Sequence, residues 1–165
     1  MGPVIAEVSI DAPRERVYEA IADLANRPAF CDHFLEQFHL QRLESTGLGS
    51  AARFHVPARR FPIWMETVIS ELDPPHRIVE SGRGSRADRM PVGTAWELVE
   101  GPAATTNVTL TFWADADNAV DAAKGKLGVD RWYRRQWKKA LERLRDKLEQ
   151  GEPLEPVRVA GASRI

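Results

Sequence analysis

YRRQWKKALERLRDKL, residues 133–148, sets apolar side chains at helical spacing. Tyr133, Trp137, Ala140, Leu141, Leu144 and Leu148 form a single stripe, and the positions between them are charged or polar. This pattern predicts one amphipathic helix, and the helical period extends upstream to about Asn118. Such a helix of about 30 residues would span roughly 45 Å. Its stripe needs an apolar partner, and the middle of the chain supplies one. Strand candidates run over 38–44, 51–56, 63–72, 77–82, 93–100 and 105–113, separated by turn signals such as Gly47-Leu48-Gly49 and Asp73-Pro74-Pro75. Alternation puts Trp96 with Leu98, and Phe112 with Val108 and Leu110, on one face of these strands. Trp64 and Trp113 fall out of phase with that face.

Before the strands, residues 4–10 alternate as a further strand. Asp11-Ala12-Pro13 opens a helix in which Val17, Ala20, Ile21 and Leu24 share a face. Asn26-Arg27-Pro28 should break it. A second short helix is expected around 29–37, with Phe30, Phe34 and Phe38 four apart. The predicted order is one strand, two helices, about six antiparallel strands and one long helix. That is an α+β architecture in which a curved sheet is covered by the C-terminal helix. Residues 1–149 read as one domain, and 150–165 as a tail ordered only by docking.

The 165-residue chain carries 43% hydrophobic and 28% charged residues, with a net charge of −1. This is a globular composition without the positive balance that would favour nucleic acid. The lone Cys31 excludes an internal disulfide framework and points to a reducing, cytoplasmic setting. The N-terminus does not read as a signal peptide, and no run is apolar enough for a membrane span.

Three segments carry a resemblance: Val8-Ser9-Ile10-Asp11-Ala12-Pro13-Arg14-Glu15-Arg16-Val17-Tyr18, the turn Glu71-Leu72-Asp73-Pro74-Pro75-His76-Arg77-Ile78-Val79, and the closing helix 136–149. Their order resembles the helix-grip fold of the SRPBCC superfamily, also called START-like or birch-pollen-allergen-like. The likeness is to proteins of polyketide cyclase/dehydrase or lipid-transport type. It implies a curved antiparallel sheet of about seven strands gripping the last helix, with a cavity between them. These signatures are structural rather than catalytic.

The candidate ligand-binding residues are Phe34, Phe54, Met65, Trp96, Leu110, Phe112, Lys126, Asp130, Tyr133 and Trp137. The aromatic ones would line an apolar cavity, or else fill the core and leave none. Lys126 and Asp130 fall within about 40° of Leu144 if the helix is unbroken, which puts two charges on the buried stripe. Gly125 and Gly128 would free both charges if they reset the phase. Asp32, His33, Glu36, Arg53, His55 and Glu66 contain acid–base pairs but no nucleophile triad. The four histidines lack metal-ligand spacing, so neither metal nor cofactor is expected. Residues 131–147 hold eight basic side chains against Glu142 and Asp146. This is either a solvated helix face or a contact for an anionic membrane or acidic partner.

Three functions follow. One is a carrier or sensor that binds a small hydrophobic or amphipathic molecule, lipid- or polyketide-like, between sheet and helix. Another is an enzyme of cyclase, aromatase or dehydratase type. The third is an adaptor acting through the basic helix. A dry cavity favours the first, a polar acid–base cavity the second, and a filled core with a flat basic face the third.

Overall fold

The computed structural model describes residues 3–58, 62–84, 90–114 and 128–158. Strand β1 (Val4–Ile10) is followed by helix α1 (Arg14–Ala22), a 3-10 turn (Leu24–Asn26) and helix α2 (Arg27–Cys31). Six strands come next: β2 (Glu36–Leu40), β3 (Ala51–Val56), β4 (Ile63–Asp73), β5 (Arg77–Gly84), β6 (Met90–Glu100) and β7 (Thr106–Ala114). Helix α3 (Asp130–Gln150) closes the described fold. The seven strands form one antiparallel sheet in the order β1-β7-β6-β5-β4-β3-β2. This is the helix-grip α+β architecture expected from the sequence.

Two irregularities bend the sheet. The β3–β2 register shifts between Glu36 and His39, where Gln37 has φ 49°. The β4–β5 register shifts between Ile69 and Glu71. An extra residue on one strand of a pair bends that strand and tightens its twist. On the outer face, a side chain at Gly93 would collide with Trp113 and the Glu80 carbonyl, so the glycine lets the indole lie close against the sheet. Trp64 also faces outward, where its ring lies under the Arg53 guanidinium at 4.9 Å.

The whole predicted stripe of α3 is buried: Tyr133, Trp137, Ala140, Leu141, Leu144 and Leu148. Gly151, with φ 69°, ends the helix, and Glu152 N–H bonds Lys147 O at 2.9 Å. That left-handed residue costs glycine little and satisfies the last carbonyls. Of the basic face, Arg131, Arg134, Arg135, Lys138 and Lys139 are exposed, whereas Arg143, Arg145 and Lys147 pair with Asp32, Asp146 and Glu152. Beyond the helix, Leu154 packs on the core and Val157 N–H bonds Ala25 O at 2.9 Å.

Two local expectations are corrected. Helix α1 ends at Ala22 rather than near Pro28, because Asp23 turns extended and its carboxylate accepts from Ala25 N–H. The second helix stops at Cys31 and does not reach 37. Phe34 and Leu35 N–H both turn back onto Cys31 O, and β2 starts at Glu36. Phe38 therefore leaves the helical series and stacks on Phe54 at 5.8 Å, a cross-strand pair. The long helix is described only from Asp130. Gly128 has φ 84°, and the helical period expected upstream of it, from about Asn118 to residue 127, lies outside the described residues. Lys126 lies outside the described residues.

Trp137 is the centre of the grip, edge-on to Phe34 at 4.9 Å and to Trp96 at 5.9 Å. Trp137→Ala should lower unfolding free energy by roughly 3–5 kcal/mol in urea titrations. Trp64→Ala, on the outer face, should cost only about 1 kcal/mol. Equal losses would show that the grip does not carry the core.

Candidate ligand-binding site

The site begins with a charged residue in an apolar strand. Ile78 and Glu80 both point to the inner face of β5, and Glu80 is only 2% exposed. A buried carboxylate needs partners. Its partner is Arg27, 3% exposed, which the break after α1 delivers. Asn26 Nδ2 ties back to Ala20 O, Pro28 takes an early position in α2, and Arg27 enters the helix aimed at the sheet. Arg27 Nη2 donates to Glu80 Oε1 at 2.6 Å. Trp96 Nε1 donates to the same oxygen at 3.1 Å, and Thr67 Oγ1 donates to Oε2 at 3.2 Å. The guanidinium also lies 4.8 Å from the centre of the Trp96 ring. Planar stacking and a carboxylate fork suit arginine where lysine would not serve.

This cluster forms the polar end of a crevice between α2, α3 and the sheet. Phe34, Phe54, Met65, Phe112, Tyr133 and Trp137 supply its apolar walls, with Thr67, Thr94, Arg27 and Glu80 at the polar end. The crevice encloses about 330 Å³ of space between atoms, part of it open to solvent. Only about 10 Å³ of that admits the centre of a water molecule. The crevice therefore has room for about one water molecule. Two buried donors in its walls, Arg27 Nε and Trp137 Nε1, have no hydrogen-bond partner among the described residues.

Six of the ten residues proposed from sequence thus come together: Phe34, Phe54, Met65, Phe112, Tyr133 and Trp137. Trp96 and Leu110 face the same side but are fully buried beneath the slot. Asp130, in the first turn of α3, is half-buried and outside the lining. Sequence reasoning passed over Arg27 and Glu80. The available signal was the phase of β5, which puts Glu80 on the side of Ile78.

A second cluster joins α2 to α3. Arg143 forms an ion pair with Asp32, and its Nη1 lies 3.0 Å from His33 Nδ1. His33 Nε2 lies 3.2 Å from Gln136 O. A guanidinium can only donate and a carbonyl can only accept, so these partners assign a neutral ring with the proton on Nε2. Desolvation is the main cause that lowers the His33 pKa; the Gln136 bond opposes it. Arg143 and Lys139 lower it further, and Asp32 raises it. His55 instead faces outward, 3.5 Å from Glu36, away from the crevice. Burial pushes the Cys31 thiol and the Tyr133 phenol upward, so both stay protonated at neutral pH. Among the described residues no three metal-ligating side chains converge, and no helix is long and apolar enough to cross a membrane.

Fold and crevice define a helix-grip protein with a narrow aromatic crevice between the sheet and α3. Residues 1–149 match the sequence profile of the family described as polyketide cyclase / dehydrase and lipid transport, and the chain belongs to that family. No curated protein matches the sequence. Among solved structures, the Zhui aromatase/cyclase of a Streptomyces species is similar, with TM-score 0.70 and 18% identity over 98% of this chain and 99% of that one. A Thermus thermophilus protein is similar with TM-score 0.72 and 19% identity, over 92% of this chain and 100% of its own. The major latex-like protein 151 of Panax ginseng has TM-score 0.59 and 10% identity, over 92% and 97%. At these identities the likeness is one of fold.

Two outcomes follow from the clusters. Glu80→Ala strands the buried Arg27 charge and should cost about 3–5 kcal/mol by urea denaturation, whereas Arg27→Met with Glu80→Leu should recover most of the loss. An additive double variant would mean the two side chains are not coupled. His33 has a folded pKa below its ordinary 6.5, so the unfolded chain takes the proton first. Its contribution is whole above that value and is lost as pH falls below it. Stability should therefore drop from about pH 7 to about pH 5, and less steeply in His33→Gln. Parallel melting curves for the two proteins would disprove the link.

Proposed function

We propose that this domain binds a small, flat, largely apolar molecule in the crevice between the sheet and α3, as a carrier or sensor. One observation carries the reading: the walls are aromatic, and the only polar end is a buried cluster with unused donors. A purely structural core would bury apolar groups there at no such cost. The family's description, polyketide cyclase / dehydrase and lipid transport, fits a ligand of this kind. We read residues 1–149 as the binding unit, in a cytoplasmic setting, and 150–165 as a C-terminal tail, of which Leu154 and Val157 dock on the body.

A cyclase-type enzyme is the second reading, and the Arg27–Glu80 pair favours it. A carboxylate and a guanidinium at the end of an apolar slot can hold and polarise a carbonyl group. The two readings part on turnover, which the carrier lacks.

Titration with the neutral dye N-phenylnaphthylamine should saturate at one site per chain and quench tryptophan emission. Phe112→Ala should weaken binding by about tenfold, as expected for loss of one stacked ring. Native mass spectrometry of freshly purified protein would identify any molecule that travels with it. If no neutral aromatic binds, the crevice is only core, and the exposed basic face of α3 becomes the working surface.

A further inference from the structure

We infer that the outer face of α3, from Arg131 to Lys139, docks on an anionic lipid surface. The contact uses no lining residue of the crevice and is independent of what binds there.

Residues 131–141 contain Arg131, Arg134, Arg135, Lys138 and Lys139 and no acid, leaving 18 basic against 24 acidic residues in the rest of the chain. All five are exposed, and none forms an ion pair among the described residues. Five pairs of them are three or four residues apart, so like charges sit side by side along the helix. Such pairs weaken a helix. They also crowd the N-terminal half of α3, where the backbone dipole gives cations no support. The C-terminal half treats its charge differently: Arg143, Arg145 and Lys147 each meet a carboxylate. A face needed only for solubility would mix the signs as that half does. Charge of one sign, concentrated at a cost to the helix, is the footprint of an anionic partner.

The shape of the patch selects among partners. At about 100° and about 1.5 Å per residue, the five side chains fan over about 140° of the helix surface and along about 12 Å of its axis. They diverge, so they cannot close on one small anion. A protein partner of ordinary stability would bury about 800 Å² on each side around an apolar centre. This face offers only Trp132, half-buried, with its ring 5.0 Å from Tyr133 and 6.3 Å from Phe34. Trp132 shares its side of α3 with Arg135 and Lys139, three and seven residues further on. A part-exposed indole bordered by long basic side chains suits the boundary between lipid headgroups and acyl chains. Flexible lysine and arginine stems on a convex face can all bend towards one plane. A planar array of phosphates then satisfies charges that no single anion could reach.

Sedimentation of the full chain with lipid vesicles at neutral pH and about 0.1 M salt tests this. Vesicles of phosphatidylcholine with about one-third phosphatidylglycerol should bind it at least about tenfold better than phosphatidylcholine alone. Salt at about 0.5 M should abolish the difference. Arg135→Glu with Lys139→Glu should lower the binding at least about tenfold. Arg16→Glu with Arg42→Glu makes the same change in net charge at exposed residues elsewhere, and should leave binding within about twofold of native. Brominated phosphatidylcholine in the anionic vesicles should quench native tryptophan emission, and quench that of Trp132→Phe less. Equal binding to the two vesicle types, binding to neither, an equal loss in both double variants, or quenching unchanged by Trp132→Phe overturns the inference. So does binding of transfer RNA or polyglutamate without binding of anionic vesicles, which would give the face to a nucleic acid or to an acidic protein. Where the double glutamate variant does not fold, Arg135→Gln with Lys139→Gln decides, with a loss of at least about threefold expected.

Discussion

A salt bridge almost shut off from water, Arg27 to Glu80, fixes how the helical layer sits on the sheet. Helix α2 has five residues, too few to hold itself by backbone bonds alone. Its position comes from its first residue, whose guanidinium reaches Glu80 and stacks on Trp96. Phe30, in the same turn, is fully buried, and its ring lies 5.8 Å from Arg27 Cζ. An ion pair of this kind adds little net stability compared with an apolar pair of the same volume. It does penalise every arrangement that parts the two charges. The register of α2 over β5 is therefore specified more sharply than hydrophobic contact alone would specify it.

The interior divides along α3. Its C-terminal half packs Leu141, Leu144 and Leu148 into an aliphatic region and is pinned where Glu149 Oε1 accepts from Asp11 N–H at 2.8 Å. Its N-terminal half presents Tyr133 and Trp137 to Phe112 and Phe34. Aliphatic side chains interdigitate and leave no slot. The rings meet edge to face or tilted, Trp137 with Phe34 at 4.9 Å and Phe112 with Tyr133 at 4.7 Å, and the crevice lies among them beside the polar cluster. The crevice thus falls in the aromatic half of the α3 interface, since the same helix covers both halves.

How much of this could be read in the chain differs by scale. The stripe of α3 and the alternation of Trp96, Leu98, Val108, Leu110 and Phe112 survive intact, because period and burial are tied by geometry. Helix ends were harder. Phe30, Phe34 and Phe38 fit one helical face, yet Phe38 is taken by Phe54 of the neighbouring strand, a partner 16 residues away that spacing cannot reveal. The polar cluster was harder still. An acidic residue in a strand ordinarily marks the wet face, so Glu80 between Val79 and Ser81 gives no warning by itself. Only its pairing with Arg27, 53 residues earlier, makes an inward carboxylate tolerable.

The same arrangement explains which wall of the crevice yields first. The sheet wall is held by continuous ladders from β3 to β7. The α3 wall is anchored at its C-terminal end by the leucines and Glu149. The α2 wall rests on the Arg27 pair below and on Asp32 and His33 against Arg143 and Gln136 above. The upper contacts are partly solvated, so separating them exchanges protein partners for water at little cost. The lower one is dry and resists separation. The α2 wall is therefore held more firmly at the polar end of the crevice than at its upper edge.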